Sequence, residues 1–239
     1  MLNYNKILFT GSNGRFGRVF KKIYKNKNYL YPKKSDFNIT DIKSIERYFK
    51  KNKPNLVIHC AALSRPMETH QKNISLSITI NIIGTCNLVQ ICEKYKVKLI
   101  YFSTGYVYPG SKGNYSEEAN LKPINNYAWS KLGGECAVQM YPDSLILRIC
   151  MTEKPFIHKK AFKNMKTNFI FHEEVAKILP LFYSHKGIIN IGGKTQSVYN
   201  FAKKYNPNIK GINLKKLKNS GLNFNVSMNI NKMKKIVNA

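Results

Sequence analysis

Tyr127 and Lys131, one helical turn apart in Tyr127-Ala-Trp-Ser-Lys131, are the residues whose types and spacing point most directly to chemistry. The segment reads as helix, so both side chains leave the same face. Upstream, the apolar run Lys98-Leu-Ile-Tyr-Phe102 ends in Ser103-Thr104, which puts two hydroxyls where a buried strand would leave a sheet. A phenol, an ammonium and a hydroxyl converging on one carbonyl suit proton delivery during hydride transfer. In that arrangement Lys131 lowers the pKa of Tyr127, and Thr104 or Ser103 holds the substrate oxygen. A bare Tyr-x-x-x-Lys pair is common on exposed helices, so its surroundings decide.

The elements that would position these groups alternate along the chain. Lys6 to Phe9 is a short apolar run, followed by Thr10-Gly-Ser-Asn-Gly-Arg-Phe-Gly17 and then by Val19, Phe20 and Ile23 at helical spacing. This is strand, glycine turn and helix. Gly11 permits the tight turn, Gly14 lets backbone N–H groups approach a pyrophosphate, and Gly17 allows close packing of helix on strand. A second strand is expected within Tyr29 to Pro32. Lys33 and Lys34 follow it in place of the acidic residue that would bind ribose hydroxyls. They are either solvated loop lysines or cations that favour a 2′-phosphate, which leaves both NADPH and NADH open.

Thr40 or Asp41 is expected to cap a helix through Ile42, Ile45 and Phe49. Pro54-Asn-Leu-Val-Ile-His-Cys-Ala-Ala62 reads as a fully buried parallel strand whose small final residues let a cofactor lie against it. His59 within it reads as a core histidine, and no His, Cys or carboxylate set has metal-ligand spacing. A long helix is expected from about Ile74 to Lys94, turning Ile78, Ile82, Leu88, Val89 and Cys92 inward, with Asn81 needing a polar partner and Gly84 allowing a close neighbour. A polar loop from Tyr108 to Asn126, the Tyr127 helix and a strand at Leu145–Ile149 complete the pattern.

Beyond Cys150 the pattern weakens to a basic loop over Met151 to Asn168, a helix over Glu173 to Tyr183, a strand over Gly187 to Gly193 and a helix over Val198 to Tyr205. The tail from Asn206 reads as loosely packed. The fold class is therefore α/β, a doubly wound parallel sheet (Rossmann-like) with a small C-terminal substrate lobe. Residues 1–150 would form an NAD(P)-binding domain, and residues 151–239 a shortened lobe interleaved with the end of the sheet.

The 239 residues are 43% hydrophobic, enough to bury a sizeable core. No apolar run reads as long enough to span a bilayer and no signal peptide is apparent, so no membrane association and a cytoplasmic location are expected. The five cysteines lack Cys-x-x-Cys spacing and read as reduced structural thiols. The net charge of +28 raises a nucleic-acid surface as one reading. Its basic residues are spread along the whole chain without a recognisable nucleic-acid motif, which favours a compositional bias that would also steer a diphosphate-bearing ligand inward.

Taken together, Thr10-Gly-x-x-Gly-x-x-Gly17, Ala61-Ala62, Asn81-x-x-Gly-Thr-x-Asn-Leu88, Ser103-Thr104 and Tyr127-x-x-x-Lys131 resemble the extended short-chain dehydrogenase/reductases. Within them, Tyr101-Phe-Ser-Thr-Gly-Tyr-Val-Tyr-Pro-Gly110 and Asn126-Tyr-Ala-Trp-Ser-Lys-Leu-Gly-Gly-Glu135 resemble the dTDP-4-dehydrorhamnose reductase branch. The resemblance covers roughly residues 6 to 205. It implies reduction of the C4 ketone of a nucleotide-linked 4-keto-6-deoxy sugar by NADPH or NADH, with Thr104, Tyr127 and Lys131 catalytic. The implied cofactor contacts are Gly11, Ser12, Asn13, Gly14, Arg15, Phe16 and Gly17 of the turn, Asn38 and Ile39 on the adenine side, and Ala61, Ala62, Leu63, Asn81 and Ser103 further along, with Tyr127 and Lys131.

Asn81 would order a water behind Lys131. The implied partner is a nucleotide sugar, and a homodimer is compatible with the resemblance. Three departures from the branch stand out. Gly105 and Asn38 each replace an Asp, and Met151 stands where an aromatic Trp would face the sugar. An epimerase or dehydratase of the same superfamily, or a cofactor-binding regulatory subunit without turnover, are the alternatives.

Overall fold

Short, continuously apolar runs cannot sit on a surface, and here they become the strands of one parallel sheet covered on both faces. The computed structural model describes residues 4–213 and 224–239. Its first half runs β1 (Ile7–Thr10), α1 (Arg15–Ile23), β2 (Tyr29–Leu30), α2 (Ile42–Asn52), β3 (Leu56–His59), α3 (Thr69–Lys72), α4 (Ile74–Ile78), a π-helical turn (Thr79–Ile83), α5 (Gly84–Tyr95) and β4 (Lys98–Thr104). A 3₁₀ turn (Gly105–Val107), α6 (Asn126–Gln139) and β5 (Ser144–Ile149) follow. The remainder carries β6 (Met151–Thr152), β7 (Lys160–Phe162), β8 (Lys166–Thr167), β9 (Ile170–Phe171), α7 (His172–Ile178), β10 (Gly187–Ile191), β11 (Gln196–Ser197), α8 (Val198–Lys203), β12 (Lys210–Ile212) and α9 (Asn231–Val237).

The six-stranded sheet has the order β10-β5-β4-β3-β1-β2, with all its pairs parallel. From β1 the chain builds outward first to β2 and then, on the other side, through β3. The C-terminal ends of β1 and β3 therefore flank a topological switch point, where open α/β sheets bind ligands. Alternation divides the core between the two faces. Ile7, Phe9, Leu56, Ile58, Ile100 and Phe102 pack with α1 and α7 residues such as Phe16, Phe20 and Val175, while Leu8, Val57, Leu99 and Tyr101 pack with α2, α5 and α6 residues such as Phe49, Leu88 and Val138. Phe9 stacks on Phe20 at 4.5 Å between ring centroids, fixing α1 over its own strand.

Asp41 caps α2 by accepting from the Lys43 N–H, and Asn125 caps α6 by accepting from Ala128 N–H, so both helices begin where their polar residue ends an extended segment. The long Ile74–Lys94 helix differs from expectation at one point. The π turn adds a residue to the ladder and shifts its phase, so that Ser77 is buried while Ile78 is 41% exposed. This segment also corrects the reading that no run is long enough to span a bilayer. By length and composition Ile74–Lys94 qualifies, yet Asn81, Thr85, Leu88, Ile91 and Cys92 are buried within the domain.

The region after Cys150 is more ordered than its sequence pattern. Met151 to Asn168, expected as loop, holds three short strands, β6, β7 and β8. The tail is not loose where it is described, because β12 pairs with β7, and Val226, Met228, Ile230 and Met233 are buried. Residues 214–223, which share that expectation, lie outside the described residues. Polar, lysine- and asparagine-rich sequence hides this packing, since its apolar residues are interspersed with polar ones.

Candidate functional site

At the carboxyl ends of β1, β3, β4 and β5 a cavity of about 1160 Å³ runs from the glycine turn to the C-terminal lobe. That exceeds the ~300–1,000 Å³ usual for one small-molecule site and leaves room for two ligands side by side. One end is built by the Gly11–Gly17 turn. Gly11 has φ +77°, and a Cβ there would lie 2.7 Å from the Ala61 amide nitrogen; at Gly17 it would lie 2.2 Å from the Gly11 carbonyl oxygen. Only glycine therefore lets α1 begin this close to both strand ends. The first N–H groups of α1 have no intrahelical acceptors, and their residues line the cavity, the setting in which helix N-termini bind a diphosphate.

Of the residues expected at a dinucleotide, Gly11, Ser12, Asn13, Gly14, Arg15, Phe16, Gly17, Asn38, Ile39, Ala61, Ala62, Leu63 and Ser103 line this cavity, as do Thr104, Tyr127 and Lys131. Lys34 lines it as well, beside Asn38 and Thr40. Asn38 shapes that corner by accepting from the Thr40 N–H (3.2 Å) and hydroxyl (3.0 Å). Ile39 fills the space above Gly84, where a Cβ would come within 2.9 Å of its terminal methyl. The Phe16 side chain belongs to the core, packed on Phe9 and Phe102.

Asn81 is the exception and does not line the cavity. Its amide is used up in a clamp. Oδ1 accepts from Leu63 N–H (2.8 Å), and Nδ2 donates to Leu63 O (2.9 Å) and Ser130 Oγ (2.8 Å). It thus ties the β3 end to α6 from inside the π turn.

α6 can lie against β4 and that turn because Gly134 faces them. A Cβ there would sit 2.6 Å from Tyr101 Oη and 2.7 Å from Asn81 O. Tyr127 is consequently held inside the site. Burial pushes its phenol up to about 12, while a side-chain contact with Thr104 and the positive charge of Arg65 pull the other way. Lys131 is 3% exposed with its Nζ 4.0 Å above the centroid of the Tyr101 ring, and burial brings its pKa down to about 7 against the opposing influence of Cys60 and Glu135. Arg65 is a positive charge that lowers the pKa of the phenol, while the Lys131 amine lies over the Tyr101 ring.

The two β4 hydroxyls differ in their partners. Ser103 Oγ donates to Glu135 Oε2 at 2.5 Å, and Glu135 is paired with Arg148, whose Nε lies 3.0 Å from Oε1; both residues are 2% exposed or less. Arg148 also donates to Tyr108 Oη (2.8 Å) and Glu117 O (2.9 Å), a network that fixes the β4 and β5 ends. Thr104 is left facing Tyr127. His59 is the core histidine expected, bonded to Thr10 Oγ1 at 2.9 Å and Thr85 Oγ1 at 3.1 Å, and burial followed by the Lys131 charge lowers its pKa to about 3. Among the described residues no group of His, Cys, Asp or Glu could hold a metal.

Sequence reasoning missed the far wall. Phe156, Phe162 and Phe169 from the C-terminal lobe line the cavity and supply the aromatic surface absent at Met151, with His158, Lys159 and Lys160 beside them. Arg65 and Glu153 were likewise unmarked. Gly105 faces Met228, whose Sδ would be 3.0 Å from a Cβ, so a thioether from the C-terminal segment stands where the branch carries a carboxylate.

Comparison with known proteins adds the lineage. The profile of the RmlD substrate binding domain matches residues 5–169, more than half of the chain. Methionine adenosyltransferase 2 subunit beta of Xenopus laevis is 29% identical over 154 residues, covering 60% of this chain and 46% of that protein. The dTDP-4-keto-6-deoxy-D-glucose reductase of Streptomyces niveus is 31% identical over 140 residues, covering 57% and 48%. The chain thus spans about half the length of the curated relatives it matches. In overall fold it is similar to a dTDP-4-dehydrorhamnose reductase from Bacillus anthracis solved with NADP, with a TM-score of 0.85, 21% identity, and coverage of 97% of this chain and 92% of that one.

Proposed function

We propose that this chain, which belongs to the RmlD substrate binding domain family, is an NAD(P)H-dependent reductase of a nucleotide-linked 4-keto-6-deoxy sugar. The observation that carries the reading is a single cavity lined both by the glycine turn and by Thr104, Tyr127 and Lys131. The N–H cradle at Gly11–Gly17, where Gly11 and Gly17 leave no room for a Cβ, fits a dinucleotide diphosphate. Lys34 near Asn38 fits a 2′-phosphate. A nicotinamide cofactor held by these residues would supply the hydride for the sugar ketone.

Every other part of the chemistry falls to the chain. Thr104 holds the ketone oxygen by a hydrogen bond. Tyr127, a phenol whose pKa burial raises further above neutrality, gives its proton to the alkoxide as that charge develops, and the nearby positive charge of Arg65 favours the resulting phenolate. Lys131, so close to its neutral form at pH 7, takes up positive charge readily when a polar ligand approaches. Glu135 and Arg148 keep the β4 end rigid beneath these groups. Phe156, Phe162 and Phe169 form an apolar wall for the nucleotide or sugar and exclude water.

The similarity to a reductase acting on a dTDP-keto sugar supports this reading. A second reading, a cofactor-binding subunit without turnover, is favoured by the similarity to methionine adenosyltransferase 2 subunit beta and by Met228 standing at Gly105. The test is NADPH consumption by the purified protein with a dTDP-4-keto-6-deoxy sugar. Turnover is expected, and Tyr127→Phe should lower kcat roughly 10²- to 10⁴-fold while cofactor affinity changes little. Cofactor binding without turnover on a panel of such sugars would favour the subunit reading.

A further inference from the structure

Three charged side chains meet at the cavity mouth from three separate parts of the chain. Arg15 is the first residue of α1, Arg65 follows the β3 end, and Glu153 directly follows β6. Glu153 Oε1 lies 3.2 Å from an Arg15 Nη1 and 3.5 Å from an Arg65 Nη1, and all three residues line the cavity. That oxygen is buried yet forms no well-aligned hydrogen bond, so charge rather than directed bonding holds it. One carboxylate therefore stands between two guanidinium groups beside an open helix N-terminus. With two guanidinium groups against one carboxylate the cluster keeps an excess of positive charge, and His158 and His172, whose pKa values burial lowers, line the same cavity. Guanidinium groups grip phosphate oxygens through paired, short hydrogen bonds, which this carboxylate geometry does not achieve.

We propose that Glu153 is a resident stand-in anion which a nucleotide diphosphate displaces, and that Arg65 is the residue that then binds the diphosphate. In the ligand-free chain Glu153 neutralises the two arginines and holds the C-terminal lobe to the cofactor loop. When a diphosphate enters, its oxygens take over Arg65, with Arg15 and the α1 N–H groups at hand, and the carboxylate swings away. Binding thus exchanges one ion-pair partner for another, and Glu153 sets the affinity below what the arginines alone would give. The inference rests on the nucleotide-binding part of the proposed function and needs no turnover. Cofactor and nucleotide sugar share the diphosphate, and either could be the one that displaces Glu153.

Calorimetric titration of the full chain with NADPH and, separately, with dTDP tests this for the wild type, Glu153→Gln, Arg65→Gln and the double variant. Glu153→Gln should bind at least one ligand roughly fivefold more tightly, the scale of one partly exposed ion pair that no longer has to be broken. Arg65→Gln should weaken that same ligand, and the gain from Glu153→Gln should vanish in the Arg65→Gln background, because the two act through one contact. A gain confined to NADPH assigns the cofactor diphosphate, and one confined to dTDP assigns the substrate diphosphate; both support the proposal.

Equal or weaker binding of both ligands by folded Glu153→Gln would overturn it. If Glu153→Gln does not fold, Arg65→Gln alone decides, since unchanged affinity for both ligands removes Arg65 from the site. The proposed reductase activity can fail while these affinities behave as stated, so the two readings fail separately.

Discussion

Replacing Lys131 with Met removes a buried ammonium and leaves an apolar chain of similar length over Tyr101. Lys131 is 3% exposed and its pKa falls from 10.5 to about 7, with burial as the main cause. A base whose folded-state pKa lies below its unfolded value binds its proton more weakly in the fold. It therefore destabilises fully below about pH 7, and that penalty disappears as pH rises toward 10.5. Between pH 6 and pH 9 the wild type should gain on the order of 2–3 kcal/mol from this group, taking ~1.4 kcal/mol per pKa unit.

The assay is urea unfolding at several pH values across that window for both proteins, reading the difference between them so that the other titrating groups largely cancel. Lys131→Met should be more stable than the wild type at pH 6, and its advantage should shrink toward pH 9. Parallel curves would refute the buried, proton-poor lysine. The same variant should lose reductase activity, which separates the functional reason for the ammonium from its cost to stability.

Two further outcomes follow from the site. Arg148→Met strands the fully buried Glu135 carboxylate and should cost about 3–5 kcal/mol by urea unfolding, with much of the loss recovered in Glu135→Gln/Arg148→Met; a single-variant loss under ~1 kcal/mol would mean that the pair is not buried together. Lys34→Ala should lower the ratio of NADPH to NADH affinity whereas Lys33→Ala should not, since only Lys34 lines the cavity; equal effects of the two in fluorescence titrations would remove Lys34 from the 2′-phosphate site.

Much of this protein was legible from local pattern. The apolar runs at Ile7–Thr10, Leu56–His59, Lys98–Thr104 and Ser144–Ile149 are strands because strands buried on both faces need no alternation. The glycines at 11, 14 and 17 announce their turn, and at 11 and 17 no other residue fits between α1 and the ends of β1 and β3. Asp41 marks a helix start because its carboxylate satisfies an otherwise free N–H. Each of these signals depends on neighbours close in sequence.

What sequence could not decide depends on partners far apart in the chain. Ser103 and Thr104 are equivalent on paper, and only Glu135, held by Arg148, turns one hydroxyl away and leaves the other for Tyr127. The phase of the Ile74–Lys94 helix was set by a π turn whose buried Asn81 clamps Leu63 and Ser130. Aromatic residues scattered over a basic stretch became a cavity wall once β7 paired with β12. Arg65 and Glu153, unremarkable in sequence, meet Arg15 of the glycine turn at the cavity mouth. Local periodicity and steric limits determined the sheet, its glycine turn and the Tyr127 helix. Long-range packing decided which polar groups face the cavity, because burial leaves a polar side chain only the partners that the fold brings within reach.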